Sequence, residues 1–556
     1  MTVADFIAEQ LLRRGVQHVF GVGGANIEDL FAAVQRRRPR IRMVLGKHEH
    51  AAGTAADAYG RLGGGLGVVF TTSGGGAMNL VHALAEARAS RVPLLAVVGE
   101  PPTDVQGRGA FQDTSGRDGA VDVAQVFQAV SVSCARVERA GDLPRLLDAA
   151  MAAACGERPG PAVLLIAKDR QRAELTPEEA GSGPLPNAPI AARADRAGIR
   201  AAARALEAQS VVIVAGDEVA RAGARDELAE IARALDAWVA VAPDGRDAFD
   251  NHGARFLGVA GAMGHPAVGR AIEKAGACLL VGTRLPLLAR QGIEPILRDK
   301  PLVSVGREPP FICTSQSVHL GGDLAGNLRA LRDEISTRQA ASASSSGRAS
   351  LDLRNSVDES WGSPAILGAV ERSLPAGSVV VVDAGNTGAQ AVHHLRVPRG
   401  GRWLLAMGMA GMGYAFGAAI GAALATGQRC TVLAGDGAFF MHGLDVHTAI
   451  EHALPITYVI FNNQAHGMCL VRERLLLGEE GGYNTFRPSH IGAGLAAMFP
   501  GLSARDCVTL GELEQALELA ARSERPSVIG VELPTVEVPP FAAFAKAAAA
   551  APGVKS

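Results

Sequence analysis

"AGDGAFFMHGLDVHTAIEHALPITYVIFNN", residues 434–463, holds two strand ends and a helical stretch between them. The run "TVLA" stops at Asp436, which has a glycine on either side, and "ITYVIF" stops at a doubled asparagine, Asn462 and Asn463. The interval is about one crossover unit, so the two strands are expected to be neighbours in a parallel sheet with their ends opening into one crevice. Glycines beside Asp436 let the backbone turn sharply and approach a ligand closely. A carboxylate, an amide oxygen and a nearby backbone carbonyl are hard oxygen ligands, and they suit magnesium holding a diphosphate better than zinc or copper. Taken alone, either residue reads equally well as a turn acid or a capping amide.

The same kind of run recurs along the chain: "LGVVFTTSGGG", "PLLAVVGE", "PAVLLIAKD", "SVVIVAGDE", "ACLLVGT", "PLVSVG", "SVVVVDAGN" and "SVIGVEL". Apolar residues that are continuous rather than alternating mark strands covered on both faces, each followed by a helical crossover. The fold class is therefore α/β, with three Rossmann-like parallel-sheet domains. Pro, Gly and acids concentrate at 174–195, and "STRQAASASSSGRAS" at 336–350 is a Ser/Ala low-complexity stretch. These place domains at 1–175, 190–335 and 355–540, with a linker at 336–354 and a tail at 541–556 that frays or closes over a site.

Composition narrows the function. The 556 residues carry 54 Lys plus Arg against 56 Asp plus Glu, a balance that argues against nucleic acid or an anionic membrane as partner. The 7 cysteines are scattered with no C-x-x-C pair, as in a reducing compartment, and the N-terminus lacks the basic and apolar regions of a signal peptide. A cytoplasmic protein acting on small molecules is expected. Residues 403–428 contain no charge and are long enough to span a bilayer, but Gly and Ala dominate them, which fits a tightly packed buried helix and its lead-in loop better.

Gly-Asp-Gly followed at this interval by Asn-Asn resembles the signature of enzymes that bind thiamine diphosphate. The resemblance implies that Asp436, Asn463 and the backbone carbonyl of Ala465 hold Mg²⁺, which clamps the diphosphate, with Gly435, Gly437, Ala438, His466, Gly467 and Met468 around it. Thiamine chemistry also needs a buried carboxyl group on the aminopyrimidine ring so that the cofactor can deprotonate its own thiazolium carbon. "KHEHAAGTAADAYGR" (47–61) supplies Glu49 for that role. His48 and His50, read at strand spacing, lack the i, i+4 arrangement of a helical zinc pair.

Other segments, "FGVGGANIEDLF" (20–31), "TTSGGGAMNLVHALAEARASRVPLLAVVGE" (71–100) and "GAFQDTS" (109–115), are similar to the pyrimidine-binding domain of acetolactate synthase and benzaldehyde lyase. They imply Gly24, Ser73 and Gly74 at the cofactor, Asn26 at the substrate, and Gln112 as a catalytic glutamine reaching toward substrate oxygen. In "AMGMAGMGYAFGAAIGAALATG", Gly408 belongs to the cofactor segment and Met412 matches the methionine that wedges under the thiazolium; Gly385, Asn386 and Thr387 would meet the diphosphate from the neighbouring strand end.

Acetolactate synthases bind FAD in their middle domain. Here the strand end reads "PLVSVGREPP" (301–310) and "LPLLARQG" follows "VGTR", so a spacer domain is favoured over a flavin site. They also carry a bulky aromatic residue a few positions past the paired asparagines, where this chain has Arg472; that arginine pairs with a substrate carboxylate or phosphate, or lies on a helix surface. The resemblance thus implies a Mg²⁺-dependent enzyme that decarboxylates a 2-oxoacid and passes the acyl-anion equivalent to a second carbonyl. Alternatives are a simple decarboxylase or acyloin lyase, a flavin-dependent oxidase, and a non-catalytic cofactor-binding subunit. It also implies a homodimer or homotetramer with the active site at the subunit interface.

Overall fold

The computed structural model describes residues 1–556 apart from 64, 182–191, 208, 340–360, 479–481, 534–535, 542–543 and 545–556, and apart from the side chains of 336–339. The expected linker and tail therefore lie largely outside the described residues.

Three six-stranded parallel sheets organise the chain. The first comprises β1 (His18–Gly21), β2 (Arg42–Leu45), β3 (Gly67–Thr71), β4 (Leu94–Glu100), β5 (Ser133–Arg136) and β6 (Pro161–Ala167), in the order β2-β1-β3-β4-β6-β5. The second comprises β7 (Val211–Ala215), β8 (Trp238–Val241), β9 (Phe256–Val259), β10 (Ala277–Val281), β11 (Leu302–Val305) and β12 (Ser317–Leu320), in the order β12-β11-β10-β7-β8-β9. The third comprises β13 (Val379–Val382), β14 (Arg402–Leu405), β15 (Cys430–Gly435), β16 (Ile456–Asn462), β17 (Ser503–Cys507) and β18 (Ser527–Glu532), in the order β14-β13-β15-β16-β18-β17. The outer two sheets share one topology; the middle one has the strand order of dinucleotide-binding folds.

Strands β3, β4, β6, β7, β10 and β13 are buried along their whole length, as their unbroken apolar runs require. Strands β15 and β16 pair directly, with Gly435 opposite Phe461, so Asp436 and Asn463 leave the sheet side by side. In the third sheet the winding reverses between β13 and β15, and a crevice opens at their carboxyl ends.

The first and third sheets are locked together by two helices, Glu49–Arg61 and Tyr414–Thr426. A β-carbon on Gly421 would fall 1.9 Å from the Ala55 carbonyl oxygen, and one on Gly417 2.2 Å from that of Ala51. Only glycine permits this approach, which explains the charge-free stretch as a packed helix. No helix among the described residues is long and apolar enough to cross a membrane.

Candidate active site

One amide gathers the expected metal ligands. The Ala465 N–H donates to Asp436 Oδ2 at 3.3 Å and to Asn463 Oδ1 at 3.2 Å, while the Gly437 N–H donates to Asp436 Oδ1 at 2.8 Å. Gln464 takes a left-handed φ of 57°, the bend that brings the 463–465 backbone over Asp436. Asp436 is 1% exposed, and burial pushes its carboxyl up to about 6 against the pull of these backbone N–H groups. A cation here would favour the ionised form.

Around this centre space is tight. A β-carbon on Gly437 would lie 2.7 Å from His466 Nδ1 and 3.0 Å from Met412 Cε; one on Gly467 would lie 2.9 Å from Asn463 Nδ2 and 3.2 Å from Asn386 Nδ2. Thr387 faces Gly435 across the crevice, and Gly385, at φ 98°, opens the helix Asn386–His394. The Asn386 Oδ1 and His466 Nδ1 atoms are buried without a hydrogen-bond partner among the described residues. Met412 sits in the loop before Tyr414–Thr426, fastened by Asp383: its Oδ1 accepts from Gly413 N and its Oδ2 from Ala415 N, both at 2.9 Å.

Ala438 is buried in the first turn after β15 and Met468 packs from the side of the helix Gly467–Arg472. The Gly408 amide donates to Glu86 of the first domain at 3.2 Å. Arg472 ends its helix exposed to solvent.

The first domain supplies a second cluster. Glu49 begins the helix Glu49–Arg61, is 9% exposed, and accepts from Asn79 Nδ2 at 3.0 Å. Asn26 is buried and donates through Nδ2 to Ser73 Oγ at 2.8 Å; Gly24 packs on Thr72. Gly74, at φ 64°, opens the helix Gly75–Ala89, and Gln112, itself at φ 57°, lies against it. No hydrogen bond among the described residues joins Glu49 to the Asp436 cluster.

The strand spacing read for His48 and His50 needs correcting. His48 caps the helix and His50 lies in its first turn, because the small residues that follow continue helically against Tyr414–Thr426. Both rings reach His442, at centroid distances of 5.0 and 4.1 Å, and His50 also stacks on His82 at 4.8 Å. Gly411 and Gly413, on either side of Met412, rest against His82 and His442.

Comparison with known proteins decides what this arrangement belongs to. Residues 1–120 match the thiamine pyrophosphate enzyme N-terminal TPP binding domain, 199–331 the central domain, and 383–531 the C-terminal TPP binding domain. The chain is a thiamine pyrophosphate enzyme. It is 26% identical to the acetolactate synthase isozyme 2 large subunit of Escherichia coli over 98% of both chains. A probable acetolactate synthase large subunit of Methanocaldococcus jannaschii is 25% identical, covering 97% of this chain and 93% of that protein. The sulfoacetaldehyde acetyltransferase of Castellaniella defragrans is 27% identical over 84% of this chain and 82% of its own. The chain is thus a thiamine diphosphate-dependent enzyme acting on carbon–carbon bonds, carboligase-like in kind.

The residues present fit the cofactor. Asp436 and Asn463 bring two side-chain oxygens to one backbone turn, Gly437 and Gly467 leave a cradle that any β-carbon would fill, and Asn386 Oδ1 and His466 Nδ1 are buried without a hydrogen-bond partner among the described residues. FAD fares differently. The middle sheet opens on a cleft of about 520 Å³, but Asp217 and Glu218 occupy the first turn after β7, where a dinucleotide's pyrophosphate would need amide donors. Glu218 accepts from Arg307 N at 3.1 Å, and Glu308 spans the cleft to Arg91 at 2.7 Å and Arg284 at 3.0 Å. Burial, with Asp217 beside it, raises the Asp244 carboxyl above the usual carboxylate range. Acids and ion pairs of this kind do not fit FAD.

Among the described residues, His490, Asp506 and Glu532 also have metal-ligand spacing. Their carboxylates are already engaged: Asp506 caps Gly492 N and Ala493 N, and Glu532 accepts from Asn462 Nδ2. Asn462 thus ties β16 to β18, while the Asn463 side chain shares the Ala465 amide with Asp436. Three buried acids around the site were not picked out from the sequence. Asp383 closes the run "VVVVDAG", which is the signal that could have found it, whereas Glu86 and Glu473 carry no local motif and meet their partners only in the tertiary fold.

Proposed function

We propose that this enzyme decarboxylates a 2-oxoacid and transfers the acyl-anion equivalent to a second carbonyl, using thiamine diphosphate held by Mg²⁺ on Asp436, Asn463 and the Ala465 carbonyl. The observation that supports this reading is the single Ala465 amide shared by the Asp436 and Asn463 side chains, which draws both side-chain oxygens to one backbone turn. When bound, the cofactor supplies a nucleophilic carbon and an electron sink for the departing carboxyl carbon. Glu49, buried and oriented by Asn79, would hold a proton for the cofactor's aminopyrimidine ring, and Met412, in the loop braced by Asp383, would pack against the cofactor.

Gln112 and Asn26 stand on the substrate side, and Arg472, exposed on the helix that follows the metal loop, is available to an anionic group on the substrate. A sulfonate substrate in the name of one relative agrees with that charge. Domain limits at 175, 190, 335 and 355 are part of the same reading. So is a homodimer or homotetramer: Glu49 and the Asp436 cluster make separate hydrogen bonds within one chain, and exposed Met78, Phe111, Met409, Phe440 and Met441 leave apolar surface for a second copy to cover.

The test is to incubate the protein with thiamine diphosphate, Mg²⁺ and a panel of 2-oxoacids, some carrying a second anionic group, and follow carbon dioxide and coupled products by mass spectrometry. Carbon dioxide with a ligated product is expected; Arg472→Ala should raise KM for the dianionic members about tenfold and spare the others. No carbon dioxide from any 2-oxoacid would remove the reading.

A further inference from the structure

The helix Gly467–Arg472 begins at the proposed metal loop and widens into a π-helical turn over Glu473–Leu477. Arg472 and Arg474 on either side are exposed, yet Glu473 is 1% exposed. A carboxylate buried this deeply is costly unless its oxygens are satisfied. Glu473 Oε1 accepts from Asn484 Nδ2, and Oε2 has no protein partner among the described residues. The sequence tolerates that cost for a reason that lies with Asn484.

Asn484 belongs to a short return segment laid against the metal loop. Its carbonyl accepts from His466 N at 2.9 Å, Phe486 N donates to the Gln464 carbonyl at 2.6 Å, and Ala465 and Thr485 form an antiparallel bridge. The Phe486 ring meets His466 edge-on at 4.7 Å and Phe440 at 5.6 Å. The backbone of 464–466, which turns through the left-handed Gln464, is therefore held on one side by Asp436 and Asn463 and on the other by 484–486. Glu473 is the side chain that ties the return segment to the helix.

We propose that Glu473 is a positioning residue for the divalent cation: through Asn484 it fixes the 484–486 segment, which fixes the direction of the Ala465 carbonyl. This rests on the reading of Asp436, Asn463 and Ala465 as the metal site. Glu473 touches neither ion nor substrate. Its work is geometric, and the amide of glutamine can accept the same hydrogen bond as the carboxylate.

The test measures Mg²⁺ and thiamine diphosphate binding by calorimetry, with the Mg²⁺ concentration needed for half-maximal turnover as a second readout. Glu473→Ala and Asn484→Ala should each weaken Mg²⁺ about tenfold or more, the magnitude typical of lost outer-shell support, while substrate KM at saturating Mg²⁺ stays within about twofold. The double variant should be no worse than the singles, because both remove one tie. Glu473→Gln should bind like wild type. Should Glu473→Ala not fold, the half-exposed Asn484 decides the matter alone. Mg²⁺ affinity within twofold of wild type in Asn484→Ala, or a Glu473→Gln variant as weak as Glu473→Ala, overturns the positioning role. Wild-type protein that binds no thiamine diphosphate overturns the metal-site reading instead, so the two failures are distinct.

Discussion

Asp436 and Asn463 are 27 positions apart and touch the same N–H, an arrangement that follows from adjacent parallel strands ending at one level. Their side-by-side exit was legible because each residue closes an apolar run. Glu49 was legible by resemblance, and the structure sets it in a buried position, 9% exposed, with one oxygen accepting from Asn79. Glu49→Gln preserves the shape and the acceptor for Asn79 while removing the ionisable oxygen. Turnover should fall about 10²–10⁴-fold with thiamine diphosphate affinity within a few-fold of wild type. Unchanged steady-state turnover would exclude Glu49 from proton handling. Glu473 and Glu86 stayed invisible because their partners, Asn484 in one case and the Met409 amide in the other, are brought to them only by tertiary folding.

At the level of elements, the continuous apolar runs located the central strands and passed over most of the edges. Strand β5 is half-buried throughout, β12 reads Ser-Val-His-Leu, and β17 alternates exposed and half-buried positions, so none shows the pattern of a strand covered on both faces. The imidazole stack between Glu49–Arg61 and the Met412 loop was likewise beyond sequence spacing, because His50, His82 and His442 come from three elements. Burial chiefly, with neighbouring histidines adding to it, lowers His50 to about 2 and His442 to about 4.

These histidines are neutral in the fold and take up protons more readily when unfolded. The stability they contribute is complete above the unfolded value of about 6.5 and is lost as pH falls below it, at about 1.4 kcal/mol per pH unit for the deeply buried His50. His442, less buried and better screened, contributes less. Urea unfolding midpoints from pH 7 to pH 5 should fall more steeply for wild type than for His50→Gln. Parallel slopes for the two proteins would mean that His50 does not titrate on unfolding.

Across the whole molecule, three similar sheets do different work. The first carries Glu49 and the third the crevice at Asp436 and Asn463, while the middle one keeps the dinucleotide strand order and fills its cleft with Asp217, Glu218 and the Glu308 ion pairs. If subunits exchange halves of the site, Glu49→Gln and Asp436→Asn proteins, each inactive, should regain up to about a quarter of wild-type activity when co-refolded, since a heterodimer keeps one intact pair. Homodimers that never complement would place both halves in one chain.

The central claim is that a divalent ion at Asp436 and Asn463 mediates the grip on thiamine diphosphate. Titration calorimetry with the cofactor, in the presence of Mg²⁺ and of a chelator, addresses it directly. One cofactor per chain is expected with Mg²⁺, with binding lost in chelator and in Asp436→Asn; equal affinity with and without the ion, or no heat in either case, would contradict the account.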